Sequence, residues 1–365
     1  MTFTVVIAPD SFKGSISALE VTKAIESGWK SIRPNDEIIC APQADGGEGT
    51  LDVIQALVTG SIRHSIGAVS GPDGSPTVGE WLELPGKIAV VELAQCSGLP
   101  LMHKLDPEGA TSRGLGEVIR SALLFGANSL IIGIGGSAST DGGAGALCAL
   151  GLKLLNSKGL PISEGGAALA DIASIDPMNL IPAPVGGVTL LADVAAPLLG
   201  PSGAAAIFGP QKGASPTQVK NLDNALKHFS NLLGGNPKAP GSGAAGGTAY
   251  GFTTLWGAQL ESGYDYISRL SGFEDHLKRA DLLLTGEGRF DQQSLGGKVV
   301  GQLLNSTKKY GISTGVIAGQ LRERSGGWQI SLAELAGSVD SAIDDPEKWL
   351  RVAGVRAARE FSPAK

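Results

Sequence analysis

Five loops in this chain carry acidic residues, four of them with glycine in the same loop, and each follows an apolar run or opens a helical one. They are Asp10-Ser-Phe-Lys-Gly-Ser15, Ala44-Asp-Gly-Gly-Glu-Gly-Thr50, Gly135-Gly-Ser-Ala-Ser-Thr-Asp-Gly-Gly143, Leu191-Ala-Asp-Val194 and Thr285-Gly-Glu-Gly-Arg-Phe-Asp291. Glycine lets backbone N–H groups approach a ligand closely, and such groups stabilise phosphate. Carboxylates beside a phosphate repel it unless a cation intervenes, so the combination points to Mg²⁺ with a phosphorylated ligand. Lys13 and Arg289 would offset the remaining phosphate charge. Taken singly, each loop has a plainer reading: Asp45-Gly46 or Asp141-Gly142 as a turn, Asp193 as a helix cap, Glu287 with Arg289 as a surface pair. It is five such loops in one chain that favour chemistry.

Other chemistries lack their residues. There is no G-x-x-x-x-G-K-[ST] phosphate loop and no G-x-S-x-G nucleophile elbow. Gly133-Ile-Gly135-Gly-Ser-Ala138 matches G-x-G-x-x-A, but residues 150–160 lack the acid that a dinucleotide ribose needs, so NAD is not expected. His64, His103, His228 and His276 fall in no metal-ligand spacing.

The loops need elements to hold them. Phe3–Ala8 reads as a buried strand and Glu37–Ala41 as a second strand, each followed by a helix, at 17–32 and at 50–57. Ser17 and Glu20 form a capping-box pattern at the first of these helices. The rhythm resumes with strands at 281–285, 314–318 and, more weakly, 338–343, a helix over 297–310, and a last helix capped by Asp345 with Pro346 in its first turn. Five strands alternating with helices predict a doubly wound parallel sheet of flavodoxin type. Between them lie strand-like 62–69, 77–84, 87–93, 129–134 and 188–192, and helices 112–125 and 216–233. The expected fold class is therefore α/β: a flavodoxin/Rossmann-like domain from 1–60 plus 280–365, split by an inserted second α/β domain at 61–279.

The 365 residues suit two domains, and 42% hydrophobic against 18% charged residues excludes disorder. The net charge of −6, without a Lys/Arg run, argues against nucleic acid and anionic membrane as partners. Three scattered cysteines point to a reducing compartment, so a cytoplasmic location is expected. The N-terminus has no basic region before its apolar run, and no apolar run reaches membrane-spanning length.

Six motifs appear in a specific order: Ala8-Pro-Asp-Ser-Phe-Lys-Gly-Ser15, Ala44-Asp-Gly-Gly-Glu-Gly-Thr50, Gly135-Gly-Ser-Ala138 with Thr140-Asp-Gly-Gly-Ala144, Phe208-Gly-Pro-Gln-Lys-Gly-Ala214, Gly243-Ala-Ala-Gly-Gly247 and Thr285-Gly-Glu-Gly-Arg289. In this the chain resembles the type I glycerate kinases, from about residue 3 to 343. The resemblance implies ATP-dependent phosphorylation of D-glycerate, usually to 2-phosphoglycerate, by two α/β domains with the site in the cleft between them.

On that footing Asp45 and Asp193 are the expected groups for Mg²⁺ coordination or for accepting the hydroxyl proton, with their division of labour open. Lys13 is expected to steady the transferred phosphoryl group. Arg289 or the N–H groups of 135–143 are expected to meet the glycerate carboxylate. Gly136, Ser137 and Ser139 are candidate nucleotide-phosphate contacts; Asp10, Glu48, Asp141, Glu287 and Asp291 form a second tier. Two alternatives stay open: a kinase of another small hydroxy acid, and a non-catalytic sensor of a phosphorylated metabolite. Monomer and homodimer are equally compatible with the acidic surface.

Overall fold

The structure, a computed structural model, describes residues 2–296 and 299–361. It divides into two compact units. The first comprises Met1–Asp45, Asp52–Leu57 and Tyr264–Lys365; the second comprises Gly46–Leu51 and Val58–Gly263.

The first unit is built on five parallel strands in the order Trp328–Ser331, Ser313–Leu321, Leu282–Phe290, Thr4–Ile7, Glu37–Cys40. Numbered along the chain this is 2-1-3-4-5, the flavodoxin-like order, with its switch point between Thr4–Ile7 and Leu282–Phe290. Alternating side chains feed two cores. Val5, Ile7, Leu282, Leu284 and Ile317 pack with the helices Ala18–Lys30 and Pro346–Glu360 on one face. Val6, Ala8 and Leu283 pack with Tyr264, Phe273, Leu277, Val299 and Leu303 on the other. Both faces are covered, as a parallel sheet requires.

Three details differ from the sequence reading. The fifth strand is Trp328–Ser331, and 338–343 is not a strand. Ser338 instead caps the helix Val339–Asp344, its Oγ accepting from Ser341 N at 3.0 Å. The local hydroxyl cap outweighs the weak alternation seen in the sequence. Residues 264–279 belong with the first unit, because Tyr264, Phe273 and Leu277 complete one of its cores. The helix expected from 297 is described from Val299 to Tyr310, and its first two expected residues lie outside the described residues. The Ser17/Glu20 capping box forms, with both reciprocal bonds, at Ala18–Lys30.

The second unit carries a six-stranded mixed sheet in the order Gln259–Glu261, Val188–Leu191, Ser129–Gly133, Ile88–Glu92, Pro76–Leu84, Ile62–Ser70. The first four of these run parallel and the last two are antiparallel additions. Its core gathers Val91, Leu115, Ile119, Ile132, Leu190 and Phe229. The helices Arg113–Phe125 and Pro216–Leu233 fall where their apolar period places them.

Candidate active site

In the first unit, three strand ends bring the acidic loops together. Beyond Thr4–Ile7 the backbone keeps its partner: Ala8 N donates to Leu284 O at 2.8 Å and Asp10 N to Gly286 O at 2.9 Å. Beyond Glu37–Cys40, Ala41 N donates to Ile7 O and Gln43 N to Pro9 O, both at 2.9 Å. The loops therefore leave the sheet side by side, with Asp10, Asp45 and Glu287 at one edge. Lys13 sits at the tip of a tight turn closed by Phe12 N donating to Ile16 O at 3.0 Å, with Gly14 at φ +74°. Close strand approach explains the glycines here: a Cβ on Gly286 would lie 1.9 Å from Ile317 O, and one on Gly319 2.4 Å from Gly288 O.

These groups line a cavity of about 360 Å³. Lys13 Nζ pairs with Asp45 Oδ2 at 3.1 Å. Asp10 is buried, and its Oδ1 accepts from Ser11 N at 2.7 Å. Its carboxyl is pushed up to about 7, first by burial, then by the charge of Asp45 and, last, that of Glu287; Lys13 pulls the other way. Glu287 is also buried. Arg289 is exposed, its Nε 3.4 Å from Asp291 Oδ2. Asp291 itself caps the short helix Gln292–Leu295, accepting from Gln293 N at 2.9 Å. Ser11 lines the same cavity, and its buried Oγ has no hydrogen-bond partner among the described residues.

A bound Mg²⁺ needs only one or two carboxylates when substrate phosphates and water supply its other ligands. Among the described residues no three or more His, Cys, Asp or Glu side chains form a ready-made metal cage. The donor set at this strand edge fits the lighter arrangement: burial first, and then the charges of Asp45 and Glu287, raise Asp10, and a cation would offset that cost.

The second unit holds a different cluster. Asp141 is fully buried and its carboxylate accepts from Ser112 N and Oγ, Ser139 Oγ, Gly143 N and Gly145 N, at 2.7–3.2 Å. Several N–H groups at the loop are engaged by the protein itself: Gly135 N with Gly46 O, Ala138 N with Ser97 O, Gly142 N with Gly246 O and, just beyond the loop, Ala144 N with Asp141 O. Lys212, buried beside this loop, donates to Ser137 Oγ at 2.9 Å and to Ser139 O. Burial pushes its ammonium down to about 7, against the opposing pull of Asp141.

A model of the glycerate kinase family matches residues 5–362. The chain belongs to that family. It is therefore a kinase, with ATP as its phosphoryl donor. Glycerate 2-kinase of Escherichia coli K12 is 43% identical over 334 residues, covering 88% of this chain and 86% of that one. Glycerate kinase of Bacillus subtilis 168 is 41% identical over 350 residues, covering 93% and 91%. A solved crystal structure of a relative from Salmonella typhimurium LT2 superposes with a TM-score of 0.79 at 36% identity, over 98% of each chain.

Of the residues singled out in the sequence, Lys13, Asp45, Glu287, Arg289 and Asp10 line one cavity in the first unit. Gly136 (φ +72°), Ser137, Ser139, Asp141 and Asp193 lie in the second unit. Asp193 is half-buried just beyond the strand Val188–Leu191, and Glu48 is exposed. Two groups escaped the sequence reading. Ser11 lies inside a quoted motif, yet nothing in its type announces a buried hydroxyl. Lys212 sits in Phe208–Ala214, where only Gly209 and Gly213 to either side of it hinted at close packing.

Proposed function

We propose that this chain transfers the γ-phosphoryl group of ATP to D-glycerate in the cytoplasm, giving 2-phosphoglycerate and ADP. The observation that carries the reading is the convergence of Lys13 with three carboxylates at the carboxyl ends of parallel strands, at the switch point where open α/β sheets bind ligands. Phosphoryl transfer is mainly positioning and charge neutralisation, and this edge supplies both signs of charge.

In this reading Lys13, held by Asp45, presents its ammonium to the transferred group and follows the charge that develops on it. Asp45, with Asp10 beside it, would hold Mg²⁺, which when bound supplies charge neutralisation at the phosphate oxygens. Arg289 has an exposed guanidinium suited to the glycerate carboxylate. Asp193 is the proposed acceptor of the hydroxyl proton or a further metal ligand. Ser137 and Ser139, with Gly136, retain a candidate role at phosphate, with Asp141 and Lys212 holding their loop in shape.

The test is a panel of small hydroxy acids with MgATP, the product read by phosphorus NMR. D-glycerate should be the preferred acceptor, and its product signal should show coupling to the single C2 proton of 2-phosphoglycerate. Coupling to the two C3 protons would move the transfer to the other hydroxyl, and preference for another acid would overturn the substrate.

A further inference from the structure

The lining of the cavity in the first unit is of two chemical kinds. The carboxylates, Lys13 and Arg289 are charged; Leu332, Val339, Ala342, Ile343 and Pro346, all from the stretch 332–346, are apolar. We propose that this apolar wall is the base subsite of the nucleotide donor, taking the purine ring while the phosphates run toward Lys13 and the carboxylates. The proposal rests on the kinase reading above and adds where the donor lies.

Size and chemistry both argue for a nucleotide here. A cavity of about 360 Å³ falls within the usual ~300–1,000 Å³ of organic-ligand sites and exceeds what a three-carbon acid fills. Every carbon of glycerate carries oxygen, so burial against this wall would leave its polar groups unpaired. A purine has two apolar faces that such a wall can cover, and a polar edge that needs few partners. Val339 and Ile343, one helical turn apart, are large hydrophobics left 37% and 53% exposed at this wall. The unpartnered Ser11 hydroxyl lines the same cavity and offers a donor and an acceptor. The carboxylate lining disfavours a bare anion but suits a metal-bound polyphosphate.

The experiment pairs a variant with a direct probe on the full-length protein. Ile343→Asp alters an exposed side chain, so the melting temperature should stay unchanged. The KM for ATP should rise about tenfold or more, while that for D-glycerate changes by less than about twofold. With methyl-labelled Ile and Val in the unsubstituted protein, ADP ring protons should show Overhauser effects to valine and isoleucine methyls, and the isoleucine signal should vanish in Ile343→Val. Tripolyphosphate and D-glycerate should leave those methyls undisturbed. A folded variant with unchanged KM for ATP, a rise in the glycerate KM alone, or ADP ring protons silent toward all these methyls would overturn the subsite. If ADP gives the contacts but the protein never turns over ATP with glycerate, the subsite stands and the glycerate reading falls. Turnover without the contacts would do the reverse.

Discussion

Asp10 is the residue whose state most depends on what the site holds. Its carboxyl, raised to about 7 against an ordinary 3.8, favours the proton in the folded protein. That contribution to stability is present below pH about 4 and is lost as pH rises through about 7. Asp10→Asn keeps an oxygen for Ser11 N and removes the buried charge. In metal-free buffer at pH 8 it should raise unfolding stability by roughly 2–4 kcal/mol, measured by urea titration, with little effect at pH 4. Stability unchanged at pH 8 would mean that the carboxylate is not under strain. Lys13, Asp45, Glu287 and Arg289 were legible in the sequence because glycine-flanked charge after an apolar run marks a strand end. Ser11 and Lys212 were not, because burial of a polar side chain is decided by distant segments such as Ser137 and Ser139, 75 and 73 residues from Lys212.

At the scale of elements, the loop 135–143 is held from within. Asp141 gathers five donors, three of them backbone N–H groups, and thereby fixes the turn from Ser129–Gly133 into the helix Ala144–Ala149. An amide in its place keeps the shape but turns one acceptor into a donor facing donors. Asp141→Asn should therefore lower stability by about 2–4 kcal/mol in denaturant titration, whatever its effect on ATP affinity. A variant as stable as the parent would contradict that structural role. Long periodic elements such as Ala18–Lys30 and Pro216–Leu233 could be read from apolar spacing and capping boxes. Short ones could not. Trp328–Ser331 has four residues, two of them polar, and Val339–Asp344 is decided by one serine hydroxyl. Val339, Ala342 and Ile343 of the cavity's apolar lining fall in the second of these, which explains why the sequence exposed the charged lining of the site more readily than the apolar one.

At the scale of the whole molecule, the strand order 2-1-3-4-5 of the first unit turns residues far apart in sequence into one site. Asp10 and Glu287 are 277 positions apart, yet adjacent strands carry them to one edge. The alternation of strands with helices made this sheet legible, whereas the boundary at 264 depended on Tyr264, Phe273 and Leu277 finding their core, which no local pattern records. No helix among the described residues is long and apolar enough to cross a membrane. The central claim is that the charged edge of this sheet performs phosphoryl transfer. Its most direct test is steady-state kinetics of Lys13→Met and Asp45→Asn with MgATP and D-glycerate, beside their circular dichroism. Both should keep the fold and lose about 10²–10³ in kcat, since each removes charge aimed at the transferring group. Folded variants with kcat within about twofold of the parent would contradict the account and put the chemistry elsewhere in the chain.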